Sequence, residues 1–100
     1  MEPEAIIATV TRVTDVAAEE LHRHHGTRPI VWARFLAIAA IRHRHAWTLE
    51  RTGRYFGRHH TNIIHSSRRH RELLKAEPGY AFWWALIHQL LSTQQTSPAP

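Results

Sequence analysis

Cysteine is absent from the 100 residues, which excludes disulfides, thiolate nucleophiles and cysteine-based zinc sites together. A reducing cytoplasm is the natural setting for such a chain. Long apolar runs are also missing. The longest, Phe35 to Ile41 and Ala81 to Ile87, hold seven residues each, whereas a membrane helix needs about 20. Glu2 and Glu4 near the start are wrong for a signal peptide. Strand-like alternation is found nowhere, and apolar residues recur instead at three- and four-residue spacing. There is no Ser-His-Asp pattern and no carboxylate pair suited to a cleft, so an enzyme is not expected. What remains is one soluble all-α domain.

Negative charge is scarce where positive charge is dense. Residues 1–20 carry a net −4, residues 21–75 a net +10 and residues 76–100 a net −1. Twelve of the thirteen bases are arginine, whose planar fork suits phosphates and guanine edges. Ten histidines add to this, most in the same middle section, and they gain charge as pH falls toward their ordinary pKa of about 6.5. Such a middle section points to a polyanion, above all nucleic acid. An arginine-rich solvated surface is the plainer alternative. The short histidine spacings, His22/His24/His25, His43/His45 and His59/His60, include no H-E-x-x-H, so no metal site and no cofactor are expected.

Six helices follow from the apolar spacing. Pro3 suits a first turn, with Ile6, Val10 and Val13 as one stripe. Thr14-Asp15 offers a capping turn before a short helix over 17–22 with Leu21 inward. After the polar, basic stretch 22–28, Pro29 opens a helix to about His45. Its only charge between Ile30 and Ile41 is Arg34, so most of it must be buried. Thr48 caps a fourth helix from Leu49 to Tyr55, in which Gly53 suggests close packing, and Gly57 stops it. A fifth helix runs from His59 or His60 to about Leu74. Ile63, Ser67, His70 and Leu74 fall on its core side, with Thr61, His65, Arg68 and Glu72 outside. Pro78-Gly79 separates it from a last helix carrying Tyr80, Trp83, Trp84, Ile87, Leu90 and Leu91. The domain is expected over residues 1–91, with 92–100 a disordered tail.

Short helix, glycine turn and longer basic helix describe a helix-turn-helix. The N-terminal residues of the second helix are those that reach base edges in the major groove, and here they include Arg58, His59, His60, Thr61 and Asn62. The run Gly53-Arg-Tyr-Phe-Gly-Arg58-His-His-Thr-Asn-Ile-Ile-His65 resembles the G-x-x-F-G-G-R-D-H-T-T-V-hydrophobic-H signature of the C-terminal DNA-binding domain (domain IV) of DnaA, the bacterial replication initiator. Glu19-Glu20-Leu21, Ala33-Arg34-Phe35 and Thr48-Leu49 resemble further family stretches, so that the likeness spans roughly residues 6–91.

The resemblance implies a TrpR-like fold that binds double-stranded DNA, here in a free-standing small protein at the bacterial nucleoid. His59, His60 and Thr61 stand where the family's D-H-T enters the major groove, with Arg58 in the same cluster. Arg34 stands at a backbone-contacting arginine, and the basic run ending at Arg28 at a minor-groove arm. Thr48, Leu49, Asn62, His65 and Arg68 complete the expected DNA-binding set. The roles implied are regulation of replication initiation or of transcription, with the initiator or another replication protein as a further partner.

Three departures bear on specificity. Gly57 stands alone where the family has paired glycines, His59 replaces the aspartate, and Gly26 falls where the basic arm has an arginine. Each lost bidentate base contact shifts discrimination by about 1–3 kcal/mol, so altered or relaxed sequence preference is expected. No Gly-x-x-x-x-Gly-Lys-Ser/Thr loop occurs, which leaves out a nucleotide-driven step. The competing reading keeps the fold but not specific DNA binding: an adaptor that docks the initiator or another factor through its acidic first or aromatic last helix.

Overall fold

The computed structural model describes residues 2–95. Six helices follow in order: α1 (Pro3–Thr14), α2 (Ala18–Leu21), α3 (Arg28–His45), α4 (Leu49–Phe56), α5 (His60–Ala76) and α6 (Pro78–Gln95). No strand occurs among the described residues. Helix α3 is central and packs against α1, α2, α4, α5 and α6, while α5 is held by α3, α4 and α6. The core joins Ile6 and Val10 of α1, Leu36, Ile38 and Ile41 of α3, Phe56 of α4, Ile63 of α5, and Tyr80, Ile87 and Leu91 of α6.

The alanines of α3 explain how it sits at the centre. Ala33, Ala37 and Ala40 are buried, and small side chains let neighbouring helices approach on several sides. The α5 stripe differs slightly from the expected one: Ile63, Ser66, His70 and Leu73 are buried, whereas Ser67 and Leu74 are half-buried. Ser66 is accommodated there because its hydroxyl donates to the Asn62 carbonyl at 2.9 Å.

Two helix ends differ from the expectation. Asp15 does not cap α2. It ends α1 in the left-handed region, at φ 60°, with its N–H on the Thr11 carbonyl. Helix α2 instead begins after Ala17 with no side-chain cap. Helix α6 starts at Pro78 itself and continues through Gln95, so residues 92–95, expected in a tail, are helical. The rest of that stretch, 96–100, lies outside the described residues.

Candidate nucleic-acid interface

The turn between α4 and α5 is fixed by backbone geometry. Thr48 caps α4, its hydroxyl oxygen accepting from the Arg51 N–H at 3.1 Å. At the other end Gly57 takes φ 68°, donating to the Arg54 carbonyl at 3.3 Å, while Arg58 N–H reaches the Gly53 carbonyl at 2.7 Å. This pair of bonds is a Schellman closure, which needs a left-handed residue and so favours glycine. Gly53 is required for a different reason. A Cβ there would collide with the carbonyl oxygen of Arg58, which crosses directly over it.

Helix α5 then begins with an unusual cap. His59 has extended backbone, and its Nδ1 accepts from the Thr61 N–H at 3.3 Å and lies 2.9 Å from the Thr61 hydroxyl. An imidazole can accept there only with Nδ1 unprotonated. His60 packs ring to ring on His59, with centroids 4.1 Å apart. Thr61, Asn62, His65 and Arg68 are exposed, giving an outward polar face as expected.

The basic loop over residues 22–28 is bound tightly beside this helix end. The His22 ring stacks on Phe56 at 5.3 Å and meets Tyr55 at 5.7 Å. Arg58 donates from Nη2 to the Arg23 carbonyl. From below, Arg34 Nε donates to the Leu21 carbonyl at 3.2 Å, and its Nη2 donates to those of Glu20 at 2.8 Å and His25 at 3.1 Å. Arg58 thus ties the loop to the turn of the helix pair, and Arg34 ties it to α3.

This corrects the expectation for Arg34. It is only 3% exposed, and its Nε and Nη2 donate to carbonyl oxygens of α2 and the loop, a setting that commits the guanidinium to holding the loop rather than to the surface. Burial lowers its pKa, Arg58 adds to the lowering, and Glu20 opposes it. A buried guanidinium is tolerated because its hydrogen bonds replace the lost water.

The other expected residues differ in exposure. Arg28 is exposed at the start of α3 and lies 5.7 Å from the Trp32 ring. Thr48 is exposed at the start of α4, while Leu49 is half-buried against the core. Arg58 is half-buried, with burial lowering its pKa and its Nε without a hydrogen-bond partner among the described residues. Arg69, by contrast, is taken up by Glu72 at 2.6 Å. From 21 to 71 the chain holds a single carboxylate, Glu50, so this face is strongly positive.

Two residues escaped the sequence reading. Ile64 is 40% exposed on the helix that carries His60, His65 and Arg68. The adjacent pair Ile63-Ile64 was the available signal, since neighbouring helical residues point about 100° apart and a helix with a single buried stripe leaves one of such a pair outside it. The other is Arg51, exposed in the first turn of α4 and 4.4 Å from the Trp47 ring.

A capped helix, a glycine-closed turn and a second helix whose outer face is polar and mostly basic define a helix-turn-helix of the DNA-binding kind. The family model for the bacterial DnaA protein helix-turn-helix matches residues 3–69, and the chain belongs to that family. The family's domain is a DNA-binding module rather than a catalytic one. No curated protein matches the chain. The match ends within α5, so the last turns of that helix and all of α6 lie beyond it. No described helix is long and apolar enough to cross a membrane, and no group of three metal-ligating side chains occurs among the described residues.

Proposed function

We propose that the chain binds double-stranded DNA with sequence selectivity, the N-terminal turn of α5 entering the major groove, and that it regulates replication initiation or transcription. The observation that carries this reading is the joining of the α4–α5 turn to the basic loop through the Arg58 bond and the His22–Phe56 stack, with Arg34 holding the loop to α3. One rigid surface then offers a groove-reading helix end and a neighbouring cationic arm.

In this reading His60, Thr61 and Asn62 address base edges, and Ile64 offers an apolar contact of the kind a thymine methyl accepts. Arg28, Thr48 and Arg51 set register on phosphates, with His65 and Arg68 flanking the groove. Arg58 and Arg34 position the loop. Leu49 packs rather than binds, and His59 holds the helix end while presenting its outer ring edge.

Fluorescence anisotropy over a salt series tests this with three duplexes: an initiator box, its scramble and a randomised pool. Selective binding that His60→Ala and Thr61→Ala relax, more than they weaken binding to random DNA, is the expected outcome. Binding that is equal for all duplexes and unchanged in preference by either substitution would overturn the reading of bases. Absence of binding even at low salt would leave the adaptor, for which Phe82 of α6, 65% exposed and beyond the matched span, would be the first surface to examine.

A further inference from the structure

Between α3, α5 and α6 lies a cleft of about 190 Å³ lined by Arg42, His43, Ser67, His70, Arg71 and Trp84. Ordinary organic-ligand pockets run to roughly 300–1,000 Å³, so its occupant must be small. Every polar side chain in that lining can donate a hydrogen bond, and no carboxylate is among them.

The donors are also oriented. Arg42 Nε donates to the Trp47 carbonyl at 3.3 Å and Nη1 to the Ser67 hydroxyl at 3.4 Å. These bonds fix the fork and leave Nη2 without an acceptor among the described residues. Arg71, on the facing helix, has no hydrogen-bond or ion-pair partner among the described residues. Tyr80 is fully buried and sits 2.6 Å from His70 Nδ1. Among the described residues its hydroxyl has no other acceptor, so it donates to Nδ1, and the His70 ring proton resides on Nε2.

We propose that this cleft is a binding site for a small phosphate-type oxyanion, inorganic phosphate or a simple phosphomonoester, clasped between Arg42 and Arg71 with Ser67 and His70 as neutral donors. Two guanidinium groups from facing helices with a hydroxyl between them suit a tetrahedral anion. The local field has the required sign. Burial, then Arg71 and His88, hold His70 down at about 4, and burial, His43 and Arg44 lower His88. The cleft lies about 10–16 Å along α5 from His60 at 1.5 Å per residue, away from the surface assigned to bases.

The test is a ¹⁵N NMR titration of the protein with sodium phosphate, at constant ionic strength held with chloride. Saturable shifts of the Ser67 and Arg71 amides and the Trp84 indole N–H, with affinity reduced about tenfold or more in Arg71→Gln, are expected. Arg71 is exposed, so this variant keeps the fold, and Ser67→Ala provides a second one. Shifts that chloride alone reproduces, that do not saturate, or that survive unchanged in both variants would overturn the proposal. A duplex DNA arm separates the sources of phosphate. Shifts at these three positions with DNA but not with free phosphate would make the cleft a backbone contact and would also overturn it.

Discussion

Replacing Arg34 by alanine separates two physical roles that the same residue could have. A surface arginine that meets phosphate contributes little to folding, and its loss weakens binding to all sequences. Arg34 instead sends three hydrogen bonds to the Leu21, Glu20 and His25 carbonyls from a nearly water-free position. Hydrogen bonds to a charged group are worth about 1.5–3 kcal/mol each, and the acceptors left behind are only partly rehydrated. The three share one guanidinium and do not add independently, so a loss of about 3–5 kcal/mol is expected, as for breaking a buried ionic arrangement.

For a 100-residue chain the whole stability is about 5–15 kcal/mol, so the variant should fold but with a much reduced margin. With a urea m-value of about 2 kcal/mol/M, the unfolding midpoint should fall by about 1.5–2.5 M. Arg34→Lys should lie between the two, because a single ammonium cannot span acceptors on both α2 and the loop. Urea unfolding followed by circular dichroism, with DNA affinity measured where each variant is folded, reads both quantities. A midpoint change below about 0.3 M, together with a sequence-independent loss of DNA affinity and a salt slope smaller by about one, would refute this reasoning and restore Arg34 as a phosphate contact.

The remaining predictions concern pH and the turn. Burial first, then Arg71 and His88, lower the His70 pKa to about 4, so between pH 6.5 and 4 the unfolded chain binds a proton that the folded chain refuses. Stability from this residue is therefore fully present above about pH 6.5, declines as pH falls, and levels off below about 4, a change of up to about 3 kcal/mol. Denaturation midpoints at pH 7.5 and 4.5 should show this loss and His70→Asn should flatten it; an equal pH slope in the variant would contradict the assignment. Gly53→Ala should cost more than about 2 kcal/mol, because the atom it meets is the Arg58 backbone carbonyl and cannot swing aside. Gly57→Ala faces open space and incurs only the left-handed conformational cost of about 1–2 kcal/mol, so thermal melts should rank Gly53→Ala as the more damaging; the reverse order would mean the turn closes differently.

Much of the fold was legible because its signals are local. The nearly uncharged run of α3, the Thr48 cap and the Gly57 stop are periodicity and capping written into short stretches, and they put the helix pair in place. Arg34 was misread for a reason of the same kind: within α3 it is the only charge on an apolar helix, and local sequence cannot say which carbonyls wait opposite. Its acceptors lie 9–14 residues away, at the end of the short helix α2 and in the irregular loop after it, whose paths depend on the whole fold. Ile64 and Arg51 were missed because exposure is decided by the packing angle of α5 and by the approach of α4. The Gly53 requirement was partly visible as close packing, but that its neighbour is the turn's own backbone was not.

The histidines show why composition alone misjudges the response of this surface to pH. Read as a count, ten titratable rings promise tighter binding to a polyanion as pH falls. In the structure they have separate duties: His22 stacks on Phe56, His59 caps α5, and His70 accepts from Tyr80. His70 resists protonation and so adds no charge until the fold has already lost stability. His59 is more consequential. Its Nδ1 accepts from the Thr61 N–H at the positive end of the α5 dipole and so orders the turn that presents His60 and Thr61. A carboxylate at this position would also cap the helix but would repel phosphate. The imidazole caps without adding negative charge, so one residue both orders the reading segment and keeps the surface attractive to DNA.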